Sequence, residues 1–305
     1  MRTKLIAAFL LLCFAVQAQS PSKILKPHFK KIQKQKPSRL SKDQANSLLK
    51  DADVFQVMGV YTRSSNEAVQ REAVRLTTKL GVEHEVERSR KVAVHLLLEA
   101  AKSGSSVIQY QVAHGLQKFQ VSDFDELARK LLVEHMQTKP NHVDEFFLTA
   151  GFLGMRNELE AMRPEYRKRS ATRRALNLAL TRCGNEQKIE SMMENIEKIP
   201  VNDQFVYEVV PMMVYTRQRP QMDFLLNLIM SNKRSCRPVG EDADGYIICG
   251  YRVIEQIAPV IEDFPVQVNE ATGDLAVSNY RQAMKQVRQW IEDNKTNYVL
   301  KEDVF

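Results

Sequence analysis

The chain has 305 residues, 44% hydrophobic and 27% charged, a balance that excludes a wholly disordered polymer. Glycine and proline number 11 each, too few for a turn-rich β architecture and suited to helices. The formal charge of +7 is concentrated near the start: without Arg2, Lys4 and the seven cations of residues 21–39, residues 40–305 carry −2.

Residues 1–18 read as a secretory signal peptide. A basic start, "MRTK", leads into the apolar run "LIAAFLLLCFAV", and Val16 and Ala18 supply small residues ahead of a cut before Gln19. The run is too short for a membrane span, and no later stretch approaches the roughly twenty apolar residues that a spanning helix needs. Leu12 before Cys13 argues against lipidation, since a small residue is needed there. The expected product is exported, whether periplasmic, envelope-associated or secreted. Residues 19–40 follow as a basic segment with Lys23, Lys26, Lys30, Lys31, Lys34, Lys36 and Arg39 and no acid. Such a composition predicts a disordered tail, either a solvated spacer or a tether to anionic polymers or lipid headgroups.

Helices are expected throughout residues 41–233. In "NEAVQREAVRLTTKLG", residues 66–81, Val69, Ala73, Leu76 and Leu80 form one apolar stripe, and Arg71, Arg75 and Lys79 a basic one. Ser65 is placed to cap the start and Gly81 to end it. "EVERSRKVAVHLLLEAAKSG" puts Ala93, Leu97 and Ala100 on one face, with Gly104 closing it. "DFDELARKLLVEHMQT" is expected to bury Phe124, Leu127 and Leu131. Later segments come in pairs joined by very short loops, which predicts antiparallel neighbours. Leu127, Leu159, Ile189 and Met222 mark comparable places in successive pairs, at intervals of 32, 30 and 33 residues. A recurring unit of that length predicts an all-α chain folded as an α-solenoid of stacked antiparallel helix pairs, each covering its neighbour's hydrophobic flank.

The motif at 66–81 resembles the second half of a HEAT repeat, through Val74-Arg75 or Val69-Gln70, Ala73 and Leu80-Gly81. Pro211 and Pro259 are similar to the prolines that kink the first helix of that family. The later repeats depart from the pattern, so armadillo-like or irregular hairpins stay open. The resemblance implies a scaffold that binds protein partners along a groove, and no reaction.

Residues 234–305 break the regularity with an irregular loop and C-terminal capping helices, the last placing Val287 and Ile291 toward the core beside Trp290. Cys236 and Cys249, thirteen residues apart, could be bridged in an oxidising compartment or could be two small buried hydrophobes. "GEDADG" supplies Asp242, Asp244 and Gly245, but an EF-hand register would put Gly240 first and Tyr251 twelfth, so no metal is expected. The six histidines show no HExxH spacing, and there is no phosphate loop, GxSxG or CxxC. No catalytic residue or cofactor is assigned, and the rival to a scaffold is a hydrolase or lyase on an α/α framework.

The candidate partner-binding residues are Arg163, Arg167, Lys168, Arg169, Arg173 and Arg174, set in "RPEYRKRSATRR" against the single acid Glu165. Arg217, Arg219, Lys233, Arg234 and Arg237 recur at later turns and are expected to extend a basic ridge. Such a ridge suits an acidic protein or anionic polymer. Nucleic acid is not expected in an exported chain without interleaved aromatic residues.

Overall fold

The computed structural model describes residues 20–168, 170–238, 245–269 and 272–305. The proposed signal peptide, Arg169, Gly240, Asp242 and Asp244 lie outside the described residues. The chain is all-α, apart from one two-stranded antiparallel pairing of β1 (Arg234–Cys236) with β2 (Ile247–Ile248) and isolated bridges. None of its described helices is long and apolar enough to cross a membrane. It divides into two compact units, residues up to 111 and residues 112–305.

The first unit holds α1 (Pro21–Gln33), α2 (Lys42–Leu49), α3 (Val54–Thr62), α4 (Glu67–Glu83) and α5 (Glu87–Ser103). The α4 stripe is buried as its spacing predicts, and Arg71, Arg75 and Lys79 are exposed. Its boundaries differ from expectation. Asn66 is the cap, accepting from the Val69 amide at 3.1 Å, and the helix runs past Gly81 to Glu83. Gly81 is buried inside it.

The basic segment is a correction. Residues 21–33 form a helix rather than a disordered tail, because Ile24, Leu25, His28 and Phe29 fall at i, i+1, i+4 and i+5 and make one apolar edge. Leu25 is 0% exposed, Phe29 stacks on Tyr61 with centroids 3.9 Å apart, and α1 packs on α3 and α4. His28 Nε2 lies 3.0 Å from Glu72 Oε1, and Arg75 donates to both oxygens of Glu72 at 2.7 Å. All seven cations of the segment remain on the solvent side. Pro21 starts the helix, where its missing N–H costs nothing, and Lys30 and Lys31 sit in the last turn beside the negative end of the dipole.

The helix α6 (Ser106–Leu116) spans the division between units, and the second unit continues with α7 (Glu126–Gln137), α8 (Val143–Phe152), α9 (Arg156–Tyr166), α10 (Ser170–Arg182), α11 (Glu186–Ile196), α12 (Val210–Thr216), α13 (Arg219–Met230), α14 (Gly250–Ile257) and α15 (Tyr280–Asn294). In α7 the expected face is wrong: Leu127 is 52% exposed and Leu131 half-buried. The buried stripe is instead Ala128, Leu132, His135 and Met136, at i, i+4, i+7 and i+8. Each pair packs within itself, and α8, α10, α12 and α14 also touch in succession, as do α11, α13 and α15.

The closest approach is between α8 and α10. A Cβ on Gly151 would lie 2.7 Å from Ala179 Cα and 2.4 Å from the Tyr215 hydroxyl, so only glycine fits. That hydroxyl donates to Leu148 O at 2.6 Å. Two helices of this row end alike. The Gly154 and Met155 amides bond back to Gly151 O and Ala150 O, and the Gly184 and Asn185 amides to Thr181 O and Leu180 O. Both are Schellman motifs with a left-handed glycine. The next left-handed residue in the same role follows α12 and is Arg217, φ 53°. The three positions are spaced by 30 and 33 residues, matching the intervals of the sequence repeat.

A π turn, Phe205–Val209, precedes α12. Pro211 has no N–H for an i−4 bond, and the Val210 amide reaches Phe205 O, five residues back. Farther on, Cys236 and Cys249 form a disulfide, with Cα atoms 5.1 Å apart, joining β1 to the start of α14. Val287 and Ile291 of α15 are buried, and Trp290 packs edge-on against Phe264 at 5.0 Å.

Candidate interaction site

Three concavities surround the first half of α10. Its second half, Leu176 and Ala179 to Arg182, is buried, whereas Ser170, Ala171, Arg173 and Arg174 project into solvent. A groove of about 850 Å³ lies on the side of α11 and the π turn, lined among others by Lys188, Met192, Ile196 and Met212. A second, about 420 Å³, lies against α9 and is lined by Arg163, Tyr166 and Arg167. A third, about 340 Å³, lies against α8 and is lined by Asp144 and Leu148. Arg173 borders the first two and Arg174 the first and third.

The predicted residues Arg163, Arg167, Arg173 and Arg174 are therefore brought together around one helix. Lys168 is exposed on the turn between α9 and α10, and Arg169 is outside the described residues. Arg163 donates to Glu160 Oε2 at 2.9 Å, while Asn185 Nδ2 donates to the other oxygen of Glu160 at 2.7 Å. Glu165, the acid within the motif, pairs with Lys139 at 3.4 Å and so does not neutralise the arginines. Among the described residues Arg167, Arg174 and Lys188 make no ion pair. Burial, and then the nearby charge of Arg163, lower the Lys188 ammonium pKa, partly opposed by Glu160.

Chemically this is a set of guanidinium forks beside a thioether and aliphatic wall. Guanidiniums grip carboxylates in bidentate fashion, and Met192 and Met212 adapt to irregular apolar shapes. Lys188, Met192 and Ile196 escaped the sequence reading, although their i, i+4, i+8 spacing marks one face of α11.

Of the expected extension Lys233, Arg234 and Arg237 are exposed, but Arg217 and Arg219 are drawn into contacts with the chain after α15. Arg217 is 4% exposed, and its guanidinium is turned inward to carbonyl oxygens of Val214, Lys301 and Val304. Arg219 lies over the Tyr298 ring at 3.8 Å and donates to Lys295 O and Tyr298 O. A turn position predicts exposure only when nothing packs over it, and here the chain after α15 does.

A separate cleft of about 340 Å³ is lined by Tyr251, Arg252, Glu255, Asp274, Tyr280 and Arg281. Tyr280 donates to Glu255 at 3.0 Å; burial, and secondarily the Asp274 charge, push the Glu255 pKa up. No grouping of histidine, cysteine and carboxylate suited to a metal occurs among the described residues. No known family, curated protein or solved structure matches the chain.

Proposed function

We propose that this protein is a non-enzymatic interaction scaffold, an exported α-solenoid of HEAT or armadillo type, that docks an acidic protein segment around α10. The observation that carries the reading is the placement of Arg173 and Arg174 between three concavities, with Arg167, Arg174 and Lys188 free of carboxylate partners among the described residues. The two successions of stacked helices and the recurrence of left-handed termini at 30 and 33 residues support the solenoid. A basic and apolar groove selects a partner segment with carboxylates on one side and aliphatic residues on the other. The test is crosslinking in envelope extracts with the full chain and with R173E/R174E. Loss of a specific crosslinked protein supports the scaffold, and an unchanged profile refutes the α10 site.

A second reading attaches to the first unit. The seven exposed cations of residues 21–39 make no ion pair among the described residues, so α1 offers a basic face to an anionic surface. Sedimentation with anionic vesicles at low salt, comparing the parent with a K23E/K26E/K30E variant, tests it; equal retention excludes tethering.

A further inference from the structure

The segment after α15 lies on the second unit as a bound peptide lies on its receptor. Residues 298–301 pair with residues 260–262, through Glu262 N to Val299 O and Lys301 N to Val260 O, both 2.9 Å. The next four, Glu302 to Phe305, are held differently. Arg182 donates to Glu302 O at 3.2 Å and Val304 O at 2.9 Å, and Arg217 donates to Val304 O at 3.0 Å. The Asp303 carboxylate accepts from the Val121 amide at 2.7 Å. The Phe305 ring lies 5.7 Å from Phe152 and 5.4 Å from Tyr215. Side chains of Glu302, Asp303 and Val304 are exposed, so the grip is on the main chain rather than through burial of those side chains.

The receptor side bears marks of specialisation. Arg182 and Arg217 are both buried, with no carboxylate within ion-pair distance among the described residues. Burying two like charges is costly unless their donors are met, and here backbone carbonyls meet them. Arg182 is also fixed in place, 5.0 Å over the Phe152 ring and 4.9 Å over that of Tyr215, and donates to Tyr215 O at 2.6 Å. Arg217 occupies the left-handed position that glycine fills in the two preceding pairs. The left-handed backbone disfavours arginine, and strain of this kind persists where a side chain is needed.

We infer that Val121, Phe152, Arg182, Tyr215 and Arg217 form a peptide-binding site for extended segments with an acid two residues before an aromatic, filled in cis by Glu302–Phe305. The site reads main-chain carbonyls with guanidiniums, one acid with a backbone amide, and an aromatic ring with its Phe152/Tyr215 niche. The tethered segment competes at an effective concentration on the order of millimolar, so the parent shields the site from a free peptide. This inference is independent of the α10 groove.

The test uses a fluorescent peptide of residues 296–305, amidated at its end, and the full-length chain. A D303S/V304S/F305S variant loosens the cis segment by removing its Asp303 carboxylate and Phe305 ring anchors while leaving its receptor residues unchanged. The expected result is binding to that variant at least about tenfold tighter than to the parent, by anisotropy. Adding R217G should abolish this gain, because glycine suits the left-handed backbone yet carries no guanidinium. Three outcomes overturn the inference: a loosened variant that folds yet gains no affinity, a loosened variant that loses cooperative melting, or undiminished binding with R217G.

Discussion

Replacing Glu72 by glutamine should undock α1. Burial alone would push the Glu72 carboxyl up, but hydrogen bonds from Arg75 and His28, with their charges, bring it from 4.5 down to about 2. A lowered folded-state pKa means stabilisation that is complete above the unfolded value and lost as pH falls from 4.5 toward 2. The difference corresponds to about 3 kcal/mol at most, but Arg75 lies on α4 with Glu72 and stays paired when α1 leaves, so the His28 share, about 1 kcal/mol, is the working figure for docking. That is roughly a fivefold rise in the undocked population, since each factor of ten is about 1.4 kcal/mol. Limited trypsinolysis of the full chain at pH 7 reads it directly, because Lys23, Lys30 and Lys31 are presented on α1 itself and none of them precedes a proline. Where opening and closing outpace cleavage, nicking follows the open population. E72Q should be cut there roughly fivefold faster than the parent. Hydrogen exchange at α1 amides, corrected for intrinsic rates, should show protection falling between pH 4.5 and 2. Equal cleavage of E72Q and the parent, with α1 protection flat through that window, would refute the reasoning.

Gly151→Ala should destabilise the second unit by about 1–3 kcal/mol, since the α8 and α10 backbones would have to separate; thermal melting measures it. Gln221 is fully buried on α13, and neither amide atom has a hydrogen-bond partner among the described residues, so Gln221→Leu should raise the melting temperature, an increase of about 1 kcal/mol in stability. Reducing the Cys236–Cys249 bridge should cost about 3 kcal/mol in the chain-entropy picture, read by urea unfolding with and without reductant. Titration of unfolded, unreduced protein should find Cys183 reactive and Cys236 and Cys249 not. In the folded chain burial pushes the Cys183 thiol up to about 11, so its alkylation at pH 8 should be slow.

Legibility followed the strength of local pattern. The α4 and α5 stripes and the cluster at 163–174 were readable because a helical period places such residues without help from distant chain. The face of α7 was misread because Leu127 and Leu131 are as apolar as Leu132, and only the packing of α8 selects between two adjacent stripes. In residues 21–39 seven cations outweigh the few apolar residues in any compositional sum, although the edge that these form on α1 is enough to bury Leu25 and Phe29. Arg217 escaped for a different reason. Its inward turn depends on residues 301 and 304, more than eighty positions away, and no local period records that. The same distance hid the aromatic niche around Phe305.

The widened turn at Phe205–Val209 has a consequence for how such chains tolerate change in length. It accommodates a surplus residue within the helix itself, so the side chains beyond it keep their phase and α12 still meets its neighbours at the expected height. A single-codon insertion near Pro211 would thus be absorbed as a swelling of the coil, whereas the same insertion in α10 would rotate Arg182 off its carbonyls.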